Sequence, residues 1–212
     1  MTVIHGIRHA ATPYNVDRRY VGGRSNNIEI LADSGPKQAE VAGLTLVNSN
    51  SRFEFAISSP AVRTQQTGKI ILDTMGLEID LEIYDGIQEL SQGVYEGRVR
   101  SEVYTDEVLA QIKIEGLDFK LPTGESMRET AERTIQTFFE IAQKYPDQTG
   151  VAFGHGLSFL TAAGSILGMT HQEIYQTYIP NVSDTIFVVD GQSISVQQLG
   201  EPLIPDYLQI AA

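Results

Sequence analysis

Short apolar runs alternate with helix-patterned stretches along nearly the whole of this 212-residue chain, and that alternation limits the fold more than any other feature. The runs are Val3 to Ile7, Phe53 to Ser58, Ile79 to Tyr84, Gly150 to Phe153, Thr185 to Val189 and Ser193 to Leu199. Each is short enough for a strand, and most are separated by enough chain for a helix. Helix starts carry capping chemistry. Ser34 precedes Gly35-Pro36 and Ser59 precedes Pro60, which suits proline in a first turn. Ser126-Met127-Arg128-Glu129 fits a capping box, and Met127, Ala131, Ile135, Phe138 and Ala142 then recur on one helical face as far as about Lys144. Strands alternating with helices predict a three-layer α/β/α sandwich around a mostly parallel sheet. The last two runs are joined by Asp190-Gly191-Gln192, a hairpin signal, so one antiparallel edge strand is expected.

The length suits one unit with a real core, and no repeat or Pro/Gly/Ser-rich linker divides it, so residues 1–212 read as one domain. Residues 98–122 fit the pattern least and read as an inserted cap of helix and loops that sets specificity. The run from Val151 to Met169 is long and apolar, but His155, Ser158, Thr161 and Ser165 interrupt it, so it reads as a buried strand and helix rather than a membrane span. The chain has no cysteine, which excludes disulfides, thiolate metal sites and cysteine nucleophiles. With no signal peptide evident, the cytoplasm is the expected compartment. A net charge of −12 argues against nucleic acid or an anionic membrane as partner. The charge is unevenly spread: residues 1–24 carry +3, from Arg8, Arg18, Arg19 and Arg24 against Asp17. That reversal suits a small anionic ligand, although a solvated basic loop explains Arg18, Arg19 and Arg24 equally well.

In a parallel sheet covered on both sides, ligands bind outside the carboxyl ends of the strands. The chain tests this four times. Arg8 and His9 follow the first strand, Arg63 lies a few residues after the second, Glu89 follows the third in "YDGIQELSQGVYEG", and His155 follows the fourth in "VAFGHGLS". Each has a bland alternative when taken alone: a surface arginine, a loop acid, a histidine that merely satisfies a hydrogen bond. The last of these is applied to His5 and His171, either of which could still line the pocket. Arg63 is an uncomfortable cation in a first helical turn, where the helix dipole repels it, which favours a role. Gly154 and Gly156 would permit tight turns around His155, and the helix beginning near Gly156 offers free N–H groups to an anion. Together the groups suit phosphoryl transfer: two guanidiniums fork onto phosphoryl oxygens, His9 attacks phosphorus, and Glu89 protonates the leaving oxygen and later deprotonates water. No metal or cofactor is needed in that scheme.

At this point the chain resembles the histidine phosphatase superfamily, in the branch similar to phosphoglycerate mutase. "RHAATPYN" resembles the Arg-His-Gly-x-Ser/Thr-x-x-Asn signature and "SSPAVRTQQT" the second-arginine motif. "QELSQGVYEG" fits Glu-x-x-x-Gly-x-Trp-Glu-Gly with Tyr95 for tryptophan, and "LPTGES" and "FGHG" fit the later motifs. The resemblance implies that His9 is phosphorylated, that Arg8, Arg63 and His155 bind the phosphoryl group, that Glu89 is the proton donor, and that Asn15 and Thr12 line the pocket. Gly156 and Arg19 complete the expected substrate contacts. The chain departs from the family pattern at Ala10 for glycine, at Val21, and at Leu90-Ser91-Gln92, where mutases resemble Arg-His-Tyr. The expected activity is therefore hydrolysis of a small phosphorylated metabolite. A mutase primed by a bisphosphate and a non-catalytic phosphate sensor, the latter motivated by Ala10, are the alternatives. Nucleotide binding through "GHGLSF" lacks a third glycine, and no P-loop motif occurs. The sequence sets no oligomeric state.

Overall fold

The computed structural model describes residues 1–24 and 29–209. Six strands form one sheet: β1 (Thr2–Arg8), β2 (Phe55–Ser58), β3 (Leu81–Ile83), β4 (Thr149–Gly154), β5 (Ser183–Asp190) and β6 (Ser193–Pro202). Their spatial order is β3-β2-β4-β1-β5-β6. The first four are mutually parallel. β5 pairs antiparallel with both β1 and β6. The reversed strand therefore lies one place inside the edge, and the hairpin returns β6 to the rim in the common direction. Gly191, at φ 59, makes that two-residue turn possible.

The helices are α1 (Pro13–Val16), α2 (Gly35–Asn48), α3 (Val62–Met75), α4 (Arg100–Val103), α5 (Asp106–Glu115), α6 (Met127–Lys144), α7 (Gly156–Leu167) and α8 (His171–Gln176). Alternate strand residues feed two cores, as the two-residue period of a strand requires. On one face Ile4, Ile57, Ala152 and Phe187 pack with Phe138 and Ile141 of α6 and Phe159 of α7. On the other, Ile7, Ala56, Val151 and Phe153 pack with Ala39, Ala42 and Leu46 of α2 and Ile71 and Leu72 of α3. The result is the three-layer α/β/α sandwich. No helix among the described residues is long and apolar enough to cross a membrane.

Local signals hold with two corrections, the first being that Ser34 stands at the N-cap of α2 but its side chain makes no capping hydrogen bond. Ser126 caps α6 through a capping box, and the helix ends at Lys144 as expected. Ser59 does not cap α3. That helix begins two residues beyond Pro60, with Ala61 as its N-cap, and Ser59 is left buried beside His155. Residues 98–122 hold α4, α5 and a 3-10 turn over a small core of their own, Val21, Val103 and Leu121. A bridge between Tyr20 and Val99 ties this segment to the loop after α1.

Candidate active site

The pairing of β1 with β4 sets Arg8 opposite Gly154, so the residues that follow, His9 and His155, emerge side by side at the carboxyl edge of the two central strands. The His9 N–H donates to the Gly154 carbonyl at 3.0 Å, and the ring centroids are 5.3 Å apart. His9 is 4% exposed and His155 not at all. Nδ1 of His9 lies 2.7 Å from the Ala10 carbonyl. A carbonyl only accepts, so Nδ1 carries the proton and Nε2 keeps its lone pair. Burial, then the charges of Arg63 and Arg8, hold His9 well below the usual histidine range, so the ring is neutral at neutral pH. Asn181 fixes the backbone here, donating from Nδ2 to the His9 carbonyl at 2.8 Å and to Asn15 Oδ1 at 3.1 Å. Its neighbour Val182 is fully buried at φ 46, a left-handed conformation that a β-branched residue adopts only when its surroundings impose it.

Arg63, in the first turn of α3, is buried and donates to Nδ1 of His155 at 3.2 Å and to the Gly23 carbonyl at 3.3 Å. With Nδ1 accepting, the neutral His155 ring carries its proton on Nε2, which donates to Ser59 Oγ at 2.8 Å. Burial and then Arg63 push the pKa of His155 well down. Arg8 donates to the Ile179 carbonyl, while its Nε is buried without a hydrogen-bond partner. A Cβ on Gly156 would stand 3.2 Å from that Nε. At Gly154 it would meet the Phe159 ring at 2.4 Å. Neither glycine has a positive φ. They are needed here for close approach, not for the tight turn the sequence suggested.

Glu89 reaches the N-terminus of α7. Its carboxylate accepts from the N–H groups of Ser158 at 3.1 Å, Leu157 at 3.3 Å and Leu90 at 2.8 Å. The first N–H groups of a helix have no partner within it, and Glu89 supplies one here. Its backbone is held too: the Glu89 carbonyl accepts from Arg24 Nε at 2.9 Å and Arg133 Nη2 at 3.1 Å. Both arginines also bind the Glu125 carboxylate. Opposite charges lower the pKa of Glu125 against the desolvation that is the largest influence on it.

A cavity of about 520 Å3 opens over these groups, with Arg8, Asn15, Glu89 and Gly156 in its lining. His9, Arg63 and His155 are buried and do not themselves line the cavity, and two further predicted residues do not line it either. Thr12 is buried behind α1 rather than part of the cavity lining. Arg19 points away, forked onto Asp17 by Nε at 2.8 Å and Nη2 at 2.5 Å, and its neighbour Arg18 lines the cavity instead. Ala10, the substitution for glycine, buries its methyl in the apolar cluster with Ile7 and Ala39, and its N–H bonds Thr67 Oγ1 at 3.0 Å. His5 fits the bland reading: its Nδ1 is 2.7 Å from Asp184 Oδ2 within the sheet. Sequence reasoning missed Ser59, Asn181, Arg133 and the place of Glu125. Only Glu125 left a trace, as the acid of "LPTGES".

With this geometry in hand, the family model of the histidine phosphatase superfamily (branch 1) matches residues 4–202. The chain belongs to that superfamily. A probable phosphoglycerate mutase GpmB from Enterobacter sp. (strain 638) is 29% identical over 172 residues, covering 80% of this chain and 76% of that protein. Among solved structures, YhfR of Bacillus stearothermophilus superposes with a TM-score of 0.82 at 21% identity, over 95% of this chain and 98% of that one. A phosphoserine phosphatase from Entamoeba histolytica in complex with 3-phosphoglyceric acid gives 0.79 at 19% identity, over 98% and 100%. At such identities these structures establish the shared fold. The chain carries an arginine at the end of β1 and a histidine just after it, an arginine after β2, a glutamate after β3 and a histidine after β4.

Proposed function

We propose that this protein is a phosphomonoesterase that hydrolyses a small phosphorylated metabolite through a phosphohistidine on His9. The observation that carries the reading is the His9 ring: buried, neutral, and oriented by its Nδ1–H bond to the Ala10 carbonyl so that Nε2 is the nucleophile. In the first step Nε2 bonds to phosphorus, the ester P–O bond breaks, and protonated Glu89 gives its proton to the departing oxygen. In the second, Glu89 takes a proton from water, the water oxygen attacks phosphorus, and the P–N bond breaks to release inorganic phosphate. Arg8 and Arg63 hold the phosphoryl oxygens, with Asn15 and the α7 N-terminus at Gly156 completing the cradle, while His155, whose one ring proton goes to Ser59, positions Arg63. The cationic groups supply the charge stabilisation, so the scheme needs no metal. The segment 98–122 covers the leaving-group side of this cavity and acts as the specificity cap.

The names of the curated relatives favour a second reading, a phosphoglycerate mutase. Against it, Leu90-Ser91-Gln92 lacks the cationic residues that mutases resemble there, and Ser91 Oγ and the Gln92 N–H are both engaged with Glu96. The deciding experiment incubates purified protein and His9→Ala with p-nitrophenyl phosphate and a metabolite panel in EDTA. Phosphate release by the wild type alone supports the phosphatase. Exchange between phosphoglycerate isomers that outpaces release supports the mutase.

A further inference from the structure

A second chamber of about 430 Å3 adjoins the catalytic cavity. Their common lining includes Arg100, Gln92 and Thr177 beside Leu90, Leu157, Leu160 and Tyr178. That volume lies in the ordinary range for small-molecule sites. Beyond the shared wall the lining is mostly aromatic and aliphatic, with Tyr104, Ile112, Phe119, Leu121 and Ile174 contributed by the cap segment and α8, and Lys120, Glu125 and His171 among them. The charged groups on the wall are occupied with one another or with aromatic faces. Lys120 bonds Glu129 at 2.7 Å, Glu125 is held by Arg24 and Arg133, and Arg100 lies over the Tyr104 ring at 5.1 Å. The Tyr104 hydroxyl donates to Gln92 Oε1 at 3.0 Å, and burial pushes its pKa up, so it stays neutral.

We infer that this chamber receives the alcohol half of the substrate, making the enzyme selective for phosphomonoesters of apolar, ring-bearing alcohols. This rests on the phosphatase reading of the neighbouring cavity. Ethyl phosphate, 2-(2-naphthyl)ethyl phosphate and its 6-hydroxy analogue have alcohols of similar leaving ability, so differences among them report binding rather than chemistry.

The wild type is expected to favour the naphthyl ester over ethyl phosphate by about ten-fold or more in kcat/KM, mostly through KM, as burial of one ring system implies. The 6-hydroxyl should lower that preference, because it carries a polar group against an apolar wall. Ile112→Phe, which narrows the chamber, should erase the preference for the ring. Should Ile112→Phe fold poorly, His9→Ala titrated with the naphthyl esters gives the same ranking by naphthalene fluorescence, since the chain has no tryptophan to interfere. Hydrolysis of all three esters at equal kcat/KM would overturn this inference and leave the phosphatase reading standing. No hydrolysis of any phosphomonoester would overturn that reading itself.

Discussion

At the scale of single residues, the site is a set of side chains held in place by short-range contacts. Glu89 is the clearest case, because three backbone N–H groups and two arginines on its own carbonyl determine where its carboxyl group sits. Replacing it with Gln keeps the shape and removes the transferable proton. kcat for alkyl phosphates should fall about 10²- to 10⁴-fold and for p-nitrophenyl phosphate much less, because a good leaving group needs little protonation. Equal loss across a leaving-group series would remove Glu89 from the acid role. Ser59 offers a subtler test. Ser59→Ala deletes the oxygen that accepts from His155 Nε2, leaving a fully buried N–H unpaired at a cost of about 1–3 kcal/mol. Thermal stability should drop, and a steady-state assay should show a higher KM for phosphate esters. An unchanged Tm and KM would mean that His155 does not depend on Ser59. Residues of identical type also mark the limit of sequence reading: Arg18 and Arg19 are neighbours, and the local pairing of Arg19 with Asp17 decides which one faces the ligand. Asn181 gave no signal, since its role comes from β5 lying beside β1 across 172 residues of chain.

Among the elements, α3 carries Arg63 and must lie close to β4 to place it. Gly68 allows that approach, since a Cβ there would stand 2.6 Å from the Phe153 ring. In an exposed helix, Gly→Ala gains about 1 kcal/mol. Here overpacking, about 1–3 kcal/mol, exceeds that gain. Gly68→Ala should therefore lower stability in a urea titration and reduce activity by displacing Arg63; a rise in the urea midpoint would show that α3 has room to move. The elements themselves were the most legible part of the sequence. Strands with strong apolar runs and the capped helix α6 stand where patterning put them, because two-residue and 3.6-residue periods are imposed by burial. The start of α3 was misread because Ser59-Pro60 resembles a cap, whereas Ser59 is required at His155. In 98–122, short turns over a small core leave little periodicity to read.

For the whole molecule, the buried histidines link folding to pH. His9 and His155 have folded pKa values well below the usual 6.5, so the unfolded chain takes up protons that the native state refuses. Their contribution is complete above the unfolded value and is lost as pH falls below it, by up to about 1.4 kcal/mol per pH unit for each ring. The carboxylates held low by cations, Glu82, Asp118 and Glu129 among them, act in the same direction but only once pH falls below the ordinary carboxylate range. Calorimetry between pH 7 and 5 should thus show a falling Tm that inorganic phosphate, bound between Arg8 and Arg63, opposes. A flat Tm over that window would mean that the rings are not buried neutral. The rim at which four strands deliver their polar residues was readable because the sheet is parallel and its loops converge. The cavity's outer walls were not, because Arg18, Tyr178 and Arg100 come from three separate loop and cap segments brought together only by folding.

The central claim is that imidazole at position 9 takes the phosphoryl group covalently. Rapid mixing of the wild type with a phosphomonoester, alkaline quench and peptide mass spectrometry tests it directly. The expected result is an acid-labile, base-stable phosphoryl group on His9 that forms before phosphate is released and is missing from His9→Ala. Turnover with His9 unmodified at every time point, or undiminished phosphate release by His9→Ala, would contradict the account.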